Sequence, residues 1–190
     1  LAMKLPKVVA ELSQQYETWY DDISNVLLVR LPIQIGHTEE NPVTINAPQA
    51  YLEGKLRFDH GPGFAHDWLT DWDDEKKKVW FDLDVVRGGR YELIMQYGLK
   101  ESQQQPRLVA RVGENKLATE LPAANAAVIP LAHRDQRSRE RYVNRQWASI
   151  SLGELELAPG RQRLEMQLID VHESVDLKSV PLKRLSNASN

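Results

Sequence analysis

The sequence predicts a mostly β chain: an antiparallel β-sandwich, of jelly-roll or galactose-binding-like kind, with one N-terminal amphipathic α-helix. Three observations lead there. Apolar and polar residues alternate in many short runs, glycine and proline turn signals separate those runs, and no second good helical pattern follows the first. Alternation is the signature of a half-buried strand, because successive side chains point to opposite faces.

The helical segment opens at Pro6, whose missing N–H costs nothing in a first turn. Val8, Val9, Leu12, Tyr16, Trp19, Tyr20 and Ile23 then recur on one face, opposite Lys7, Glu11, Gln14, Gln15 and Asp21. A stripe carrying three large aromatics needs a covering surface. Either the helix packs on the sandwich, or it belonged to a domain upstream. A third use, as the contact surface of a protein–protein interaction domain, would employ Tyr16, Trp19 and Tyr20.

From Val26 the pattern becomes β. Val26–Val29 and Val43–Ile45 read as short strands, the second flanked by Pro42 and Pro48. In Val79–Val85, Val79, Phe81, Leu83 and Val85 share one face while Asp82 and Asp84 share the other. Gly88-Gly89 supplies a turn, and Arg90–Tyr97 alternates again, so the two runs read as a hairpin. Arg107–Val112 is a further strand, turning at Gly113-Glu114-Asn115, before a weakly patterned stretch from Ala118 to Asn144. Trp147–Ile150 leads into Leu152–Leu157, Pro159-Gly160 marks a turn, and Arg163–Ile169 alternates. Val175–Leu185 closes the series, its alternation slipping near Ser179 as a β-bulge would cause. The expected organisation is thus a helix over 1–25, a sandwich over 26–186 and a tail over 187–190.

Composition narrows the function. The 190 residues carry a net charge of −3, which argues against non-specific binding to nucleic acid or anionic membranes. No apolar run approaches the ~20 residues that span a bilayer. The absence of cysteine removes disulfides, thiolate metal sites and thiol nucleophiles. Between Arg134 and Arg145 five arginines fall in twelve residues, a cluster able to grip an anion or, with its interspersed acids, simply a solvated loop. The opening Leu1-Ala2-Met3, adjoining the helical pattern, reads as an internal cut.

A family resemblance emerges from these residues. Leu5-Pro6-Lys7-Val8-Val9-Ala10-Glu11-Leu12, continued by Tyr16-Glu17-Thr18-Trp19-Tyr20-Asp21-Asp22-Ile23, resembles the last helix of sulfatase catalytic domains. The remainder looks like the C-terminal sandwich of bacterial arylsulfatase-type proteins. The likeness is carried by the Trp80–Tyr91 region, by Asn144-Arg145-Gln146-Trp147 leading to Pro159-Gly160, and by Val175-Asp176-Leu177-Lys178-Ser179-Val180. It implies a non-catalytic accessory domain, a sulfatase catalytic domain in cis as its partner, and a periplasmic or secreted location. The family's Cys-x-Pro-x-Arg motif, or its serine version, is not in this sequence, so no catalytic position transfers.

The densest polar run is Asp59 to Asp74, between strands. Trp68 and Trp72 there are candidate sugar platforms, with His66, Asp67 and Asp71 as hydrogen-bond partners: sugars stack apolar C–H faces on indole while their hydroxyls bond in plane. The competing reading is that both tryptophans anchor a long loop to the core. A metal-dependent hydrolase using His60, His66 and Asp59 or Asp67 is the enzymatic alternative, though the spacing matches no zinc motif. Asp73, Asp74 and Asp176 are oxygen donors of the right hardness for a structural calcium, of the kind galactose-binding-type sandwiches often hold. Trp80 and Trp147 are expected in the core, and His37, His133 and His172 in solvated loops. The sequence therefore points to an accessory module that supports a neighbouring domain or binds glycan.

Overall fold

The computed structural model describes residues 5–27, 30–61, 67–100, 104–124, 128–129 and 144–186. Two compact units divide the chain, Leu1–Leu31 and Pro32–Asn190. The first holds helix α1 (Pro6–Leu27). On its apolar stripe the Tyr16 ring lies 5.8 Å from Trp19 and 6.0 Å from Tyr20, as i, i+3 and i, i+4 neighbours should. The helix outlasts its expected end: Val26 and Leu27 are helical, not the start of a strand. They fall three and four residues after Ile23, a spacing as compatible with a helix as with a strand, and a short apolar run cannot by itself tell the two apart. Leu28 and Val29 lie outside the described residues.

The second unit is the sandwich. In chain order its strands are β1 (Ile33–Ile35), β2 (Val43–Asn46), β3 (Tyr51–Glu53), β4 (Arg57–Phe58), β5 (Leu69–Trp72), β6 (Lys78–Val85) and β7 (Gly89–Leu99). There follow β8 (Arg107–Val112), β9 (Asn115–Glu120), β10 (Val128–Ile129), β11 (Asn144–Arg145), β12 (Ala148–Leu157), β13 (Gly160–Ile169) and β14 (Val175–Arg184). One six-stranded sheet runs β1-β6-β13-β8-β9 with β3 also on β6; the other runs β12-β7-β14-β5-β4 with β2 also on β14. Strands β10 and β11 form a separate ribbon. The pairings are antiparallel except β1 with β6, which run parallel.

Alternation places the core. Val79, Phe81, Leu83 and Val85 of β6 are buried, as are Leu164, Met166 and Leu168 of β13. From the other sheet Tyr91, Leu93, Met95 and Tyr97 of β7 and Val175, Leu177 and Val180 of β14 face them in one cluster. Each such aliphatic or Phe side chain contributes about 1.5–3 kcal/mol by leaving water. The slip expected near Ser179 is present as a register shift between Leu177 and Ser179.

The hairpin expected from Val79–Val85, Gly88-Gly89 and Arg90–Tyr97 is corrected by the sheet order. Strand β6 belongs to the first sheet and β7 to the second, so the turn is an arch between layers. The Pro159-Gly160 turn likewise carries β12 of the second sheet into β13 of the first. Because β6 pairs with β13 and β7 with β12, the two connections run as one ribbon folded over the sandwich edge, which is the jelly-roll device. At Gly88 a Cβ would lie 2.8 Å from both the Leu157 carbonyl oxygen and Pro159 Cδ. Glycine is needed there for close approach of the two arches.

Trp80 also departs from expectation. It sits on β6 at an outward position beside Lys78 and Asp82, half-buried. Its ring stacks on Tyr51 at 5.5 Å and 7°, and the Arg163 guanidinium lies 5.5 Å from its centroid. An even-numbered place in an odd-buried strand put it on the outer face.

Candidate functional site

The outer face of the second sheet gathers the polar and aromatic residues that the core pattern does not use. On β14, Asp176 and Lys178 alternate with buried Val175 and Leu177, so they point away from the core. On β5 the register against β14 shifts, and Asp71 takes φ 60°, a left-handed conformation that Asp tolerates better than most residues. Both Thr70 and Asp71 are consequently half-buried while Leu69 and Trp72 are buried. The register sets Gly98 of β7 opposite Asp176, and pairs Tyr97 with Ala148. One step before Ala148, Trp147 flanks a strand position that bears no side chain.

Trp68, just before β5, is the floor of the cluster. It is 4% exposed. The Trp147 ring is 5.4 Å away and tilted by 58°, and His60 meets Trp68 edge-on at 5.1 Å. The Arg145 guanidinium carbon stands 4.6 Å over the Trp68 ring, and Lys178 Nζ lies 6.0 Å from the centroids of both Trp68 and Trp147. Cation–π attraction of this kind strengthens when the pair is shielded from water. Arg145 Nη1 donates to Asp176 Oδ2 at 3.0 Å, and Lys178 Nζ donates to the Asp67 carbonyl at 3.5 Å. Burial lifts the Asp176 carboxyl above the ordinary range, opposed by the Thr70 hydrogen bond and Arg145 and aided by Asp59. Burial lowers the Lys178 ammonium, with Asp67 acting against it. The Nε1 of Trp68 and the Nε of Arg145 are buried and have no acceptor among the described residues.

The candidates from the sequence separate sharply. Trp68 and Asp67 join the cluster. Trp72 does not: it is 0% exposed in the core, and its Nε1 donates to the Lys77 carbonyl at 3.1 Å, so it offers no face to a sugar. Asp67 points inward. Its Oδ1 accepts from the Trp68 N–H at 2.9 Å and its Oδ2 from the His60 N–H at 2.9 Å, which satisfies donors in the turn before β5. Asp71 stays at the rim in an ion pair with Arg57. His66, His133 and Arg134–Arg141 lie outside the described residues.

The calcium set does not assemble. Asp73 Oδ1 takes a bond from Lys77 Nζ at 2.6 Å and Asp74 Oδ1 one from the Lys76 N–H at 2.8 Å, both in the β5–β6 turn, while Asp176 faces Arg145 on β14. Among the described residues the group of ligand-type side chains that does converge is Asp59, His60 and Asp67, with one donor atom each within 4.8 Å of one another. There His60 Nδ1 already lies 3.1 Å from Asp67 Oδ1 and 3.5 Å from Asp59 Oδ2. The first distance is that of a hydrogen bond to Asp67, and the second is a longer contact with Asp59.

Trp147, Thr70 and Lys178 are site residues that pattern reading did not find, and Arg145 was noticed only as part of an arginine cluster able to grip an anion. Trp147 was expected in the core; instead it is half-buried on the outer face, because it precedes β12 and its inward alternation. The signal available was the outward register of Asp176 and Lys178 on β14.

No family model and no curated protein sequence matches the chain. Solved structures do share its fold. A GH26-CBM35 β-(1,4)-mannanase from Podospora anserina superposes with a TM-score of 0.56 at 16% identity, over 78% of this chain and 29% of that one. A family 35 carbohydrate-binding module from Clostridium thermocellum gives 0.54 at 11% identity, over 77% of this chain and 100% of the other. The mosquito-larvicidal Cry4Aa toxin of Bacillus thuringiensis gives 0.59 at 14% identity, over 77% and 24%. The chain thus spans less than a third of the mannanase and of the toxin. At these identities the likeness is one of fold, and the fold is a jelly-roll-like sandwich with two sheets.

Proposed function

We propose that the chain is a non-catalytic accessory module that binds carbohydrate on the outer face of the second sheet, with Trp147 as the stacking ring. The observation that carries this is a half-buried Trp147, backed by Trp68, with the Lys178 ammonium 6.0 Å from both ring centroids and the Asp176 carboxylate on the same outward face of β14. A sugar needs an aromatic plane for its C–H face and donors and acceptors at the perimeter for its hydroxyls, and this face supplies both. The carbohydrate-binding module and the mannanase named above support the reading. The toxin has the same fold, so the site carries more of the argument than the fold does.

The test is titration of the chain with neutral and acidic oligosaccharides, followed by tryptophan fluorescence and indole chemical shifts. Binding is expected in the wild type and is expected to vanish in Trp147→Ala with the thermal midpoint preserved. Undiminished binding by that variant would contradict the assignment.

A sulfatase domain as the cis partner is a separate proposal about the parent chain. It rests on the Leu5–Ile23 pattern and the three strand passages. None of the structures named above is a sulfatase. A formylglycine motif encoded in frame upstream of Leu1 would support it, and a different catalytic domain there would overturn it.

A further inference from the structure

We infer that Trp68 forms a second sugar subsite, closed in this structure by Arg145, which acts as a lid latched to Asp176. The inference rests on the carbohydrate-binding reading and deepens it, since the open ring is Trp147 and the covered one is its neighbour.

Three features converge on the contact between Trp68 and Arg145. Its face is occupied: the Arg145 guanidinium carbon sits 4.6 Å above it, where the C–H face of a sugar would stack. Its Nε1–H is buried without an acceptor among the described residues. A buried indole N–H ordinarily finds a partner, and leaving it without one is destabilising. A ligand hydroxyl that reached the ring edge once the arginine had moved would supply that acceptor. Finally, the lid is imperfectly satisfied. Arg145 is held by Nη1 to Asp176 at 3.0 Å, while its Nε, also buried, has no acceptor among the described residues.

The latch itself is weak for physical reasons. Both partners keep some exposure, 26% for the Arg145 side chain and 21% for that of Asp176, so water can take over their hydrogen bonds when the pair opens. Burial opposes the charged form of Asp176, which lessens the stabilisation that the pair gains. Opening costs little more than the cation–π contact and one ion pair. It uncovers the Trp68 ring beside that of Trp147, with 5.4 Å between centroids and a tilt of 58° between the two planes. Two adjacent indoles suit a ligand of two or more linked sugar units.

An apparent affinity is reduced by the fraction of molecules in which the lid is open, so removing the lid should tighten binding by roughly threefold or more. The probes are methyl glycosides and the corresponding β-(1,4)-linked trisaccharides of glucose, galactose and mannose, titrated into the whole chain by heteronuclear NMR. Arg145→Ala and Asp176→Asn should each bind trisaccharide more tightly than the wild type, with less gain for the monosaccharides. Adding Trp68→Phe, which keeps an aromatic face and removes the N–H, should cancel part of the gain in the Arg145→Ala background. Binding by Arg145→Ala where the wild type shows none also supports the lid. Weaker binding in Arg145→Ala, with an unchanged thermal midpoint, would make Arg145 a direct ligand contact and overturn the inference. Unchanged affinity in both single variants would overturn it too. Either result leaves the Trp147 reading standing if Trp147→Ala still loses the ligand. Absence of binding by every variant overturns both.

Discussion

The carboxylate of Asp67 is 2% exposed and accepts the main-chain N–H groups of His60 and Trp68, so its role is to close a turn. Asp67→Ala should cost about 1–3 kcal/mol for each donor left without an acceptor, measured by urea unfolding. Asp71→Ala, which removes only an exposed pair with Arg57, should cost less than about 1 kcal/mol. Trp72→Ala should destabilise by about 3–5 kcal/mol through the cavity it leaves in the core. Asp176 gives a pH signature. Its pKa in the fold is raised above the unfolded value, chiefly by burial, so its contribution is fully favourable below the ordinary Asp range and is lost as pH rises through the folded value. Asp176→Asn, which cannot ionise, should therefore gain stability relative to the wild type as pH climbs from acid to neutral. Thermal midpoints of both proteins across that range check the sign. A gap that moved the other way would mean that Arg145 more than compensates for burial.

At the scale of elements, the arch at Gly88 is the feature most open to test. A Cβ there meets Leu157 and Pro159 atoms at 2.8 Å, and one of those is backbone that cannot swing aside. Gly88→Ala should lower stability by about 1–3 kcal/mol, visible as a lower thermal midpoint, because both arches must part. The same arch shows what was legible in the sequence. Strands β6, β7, β8, β13 and β14 announced themselves, since each turns one face to the core and most of its length alternates. The slip at Ser179 was legible for the same reason. The pairing of β6 with β7 was not. Glycine at a turn reports a tight bend and says nothing about whether the bend stays in one sheet or crosses to the other. Strands β1, β3, β4 and β5 were not legible either, being two to four residues long and set by partners distant in sequence. Helix α1 was legible along its stripe and misjudged only at its end, where Val26 and Leu27 satisfy both patterns.

The whole molecule explains why the site was the least legible part. Trp68, Arg145–Trp147 and Asp176–Lys178 come from three segments that lie 77 and 29 residues apart in the chain. They meet because β5 and β12 flank the β7–β14 pair in the second sheet. No local pattern encodes that meeting. The loop from Asp59 to Asp74 drew attention through its density of polar and aromatic residues, and two of its five sugar-site candidates, Trp72 and Asp67, are directed inward. Among the described residues no helix is long and apolar enough to cross a membrane. The first sheet also carries an aromatic cluster on its outer face, Tyr51 against Trp80, but the Trp80 ring has Tyr51 and Arg163 beside it. Ligand is expected on the second sheet, where Trp147 is the stacking ring, and the Tyr51–Trp80 face serves as the control. The most direct measurement is chemical-shift mapping of the isotope-labelled chain with neutral oligosaccharides. Perturbations are expected at Trp147, Lys178, Asp176 and the Trp68 indole N–H, with the Tyr51–Trp80 stack unmoved. Saturable shifts confined to the Tyr51–Trp80 face would contradict it.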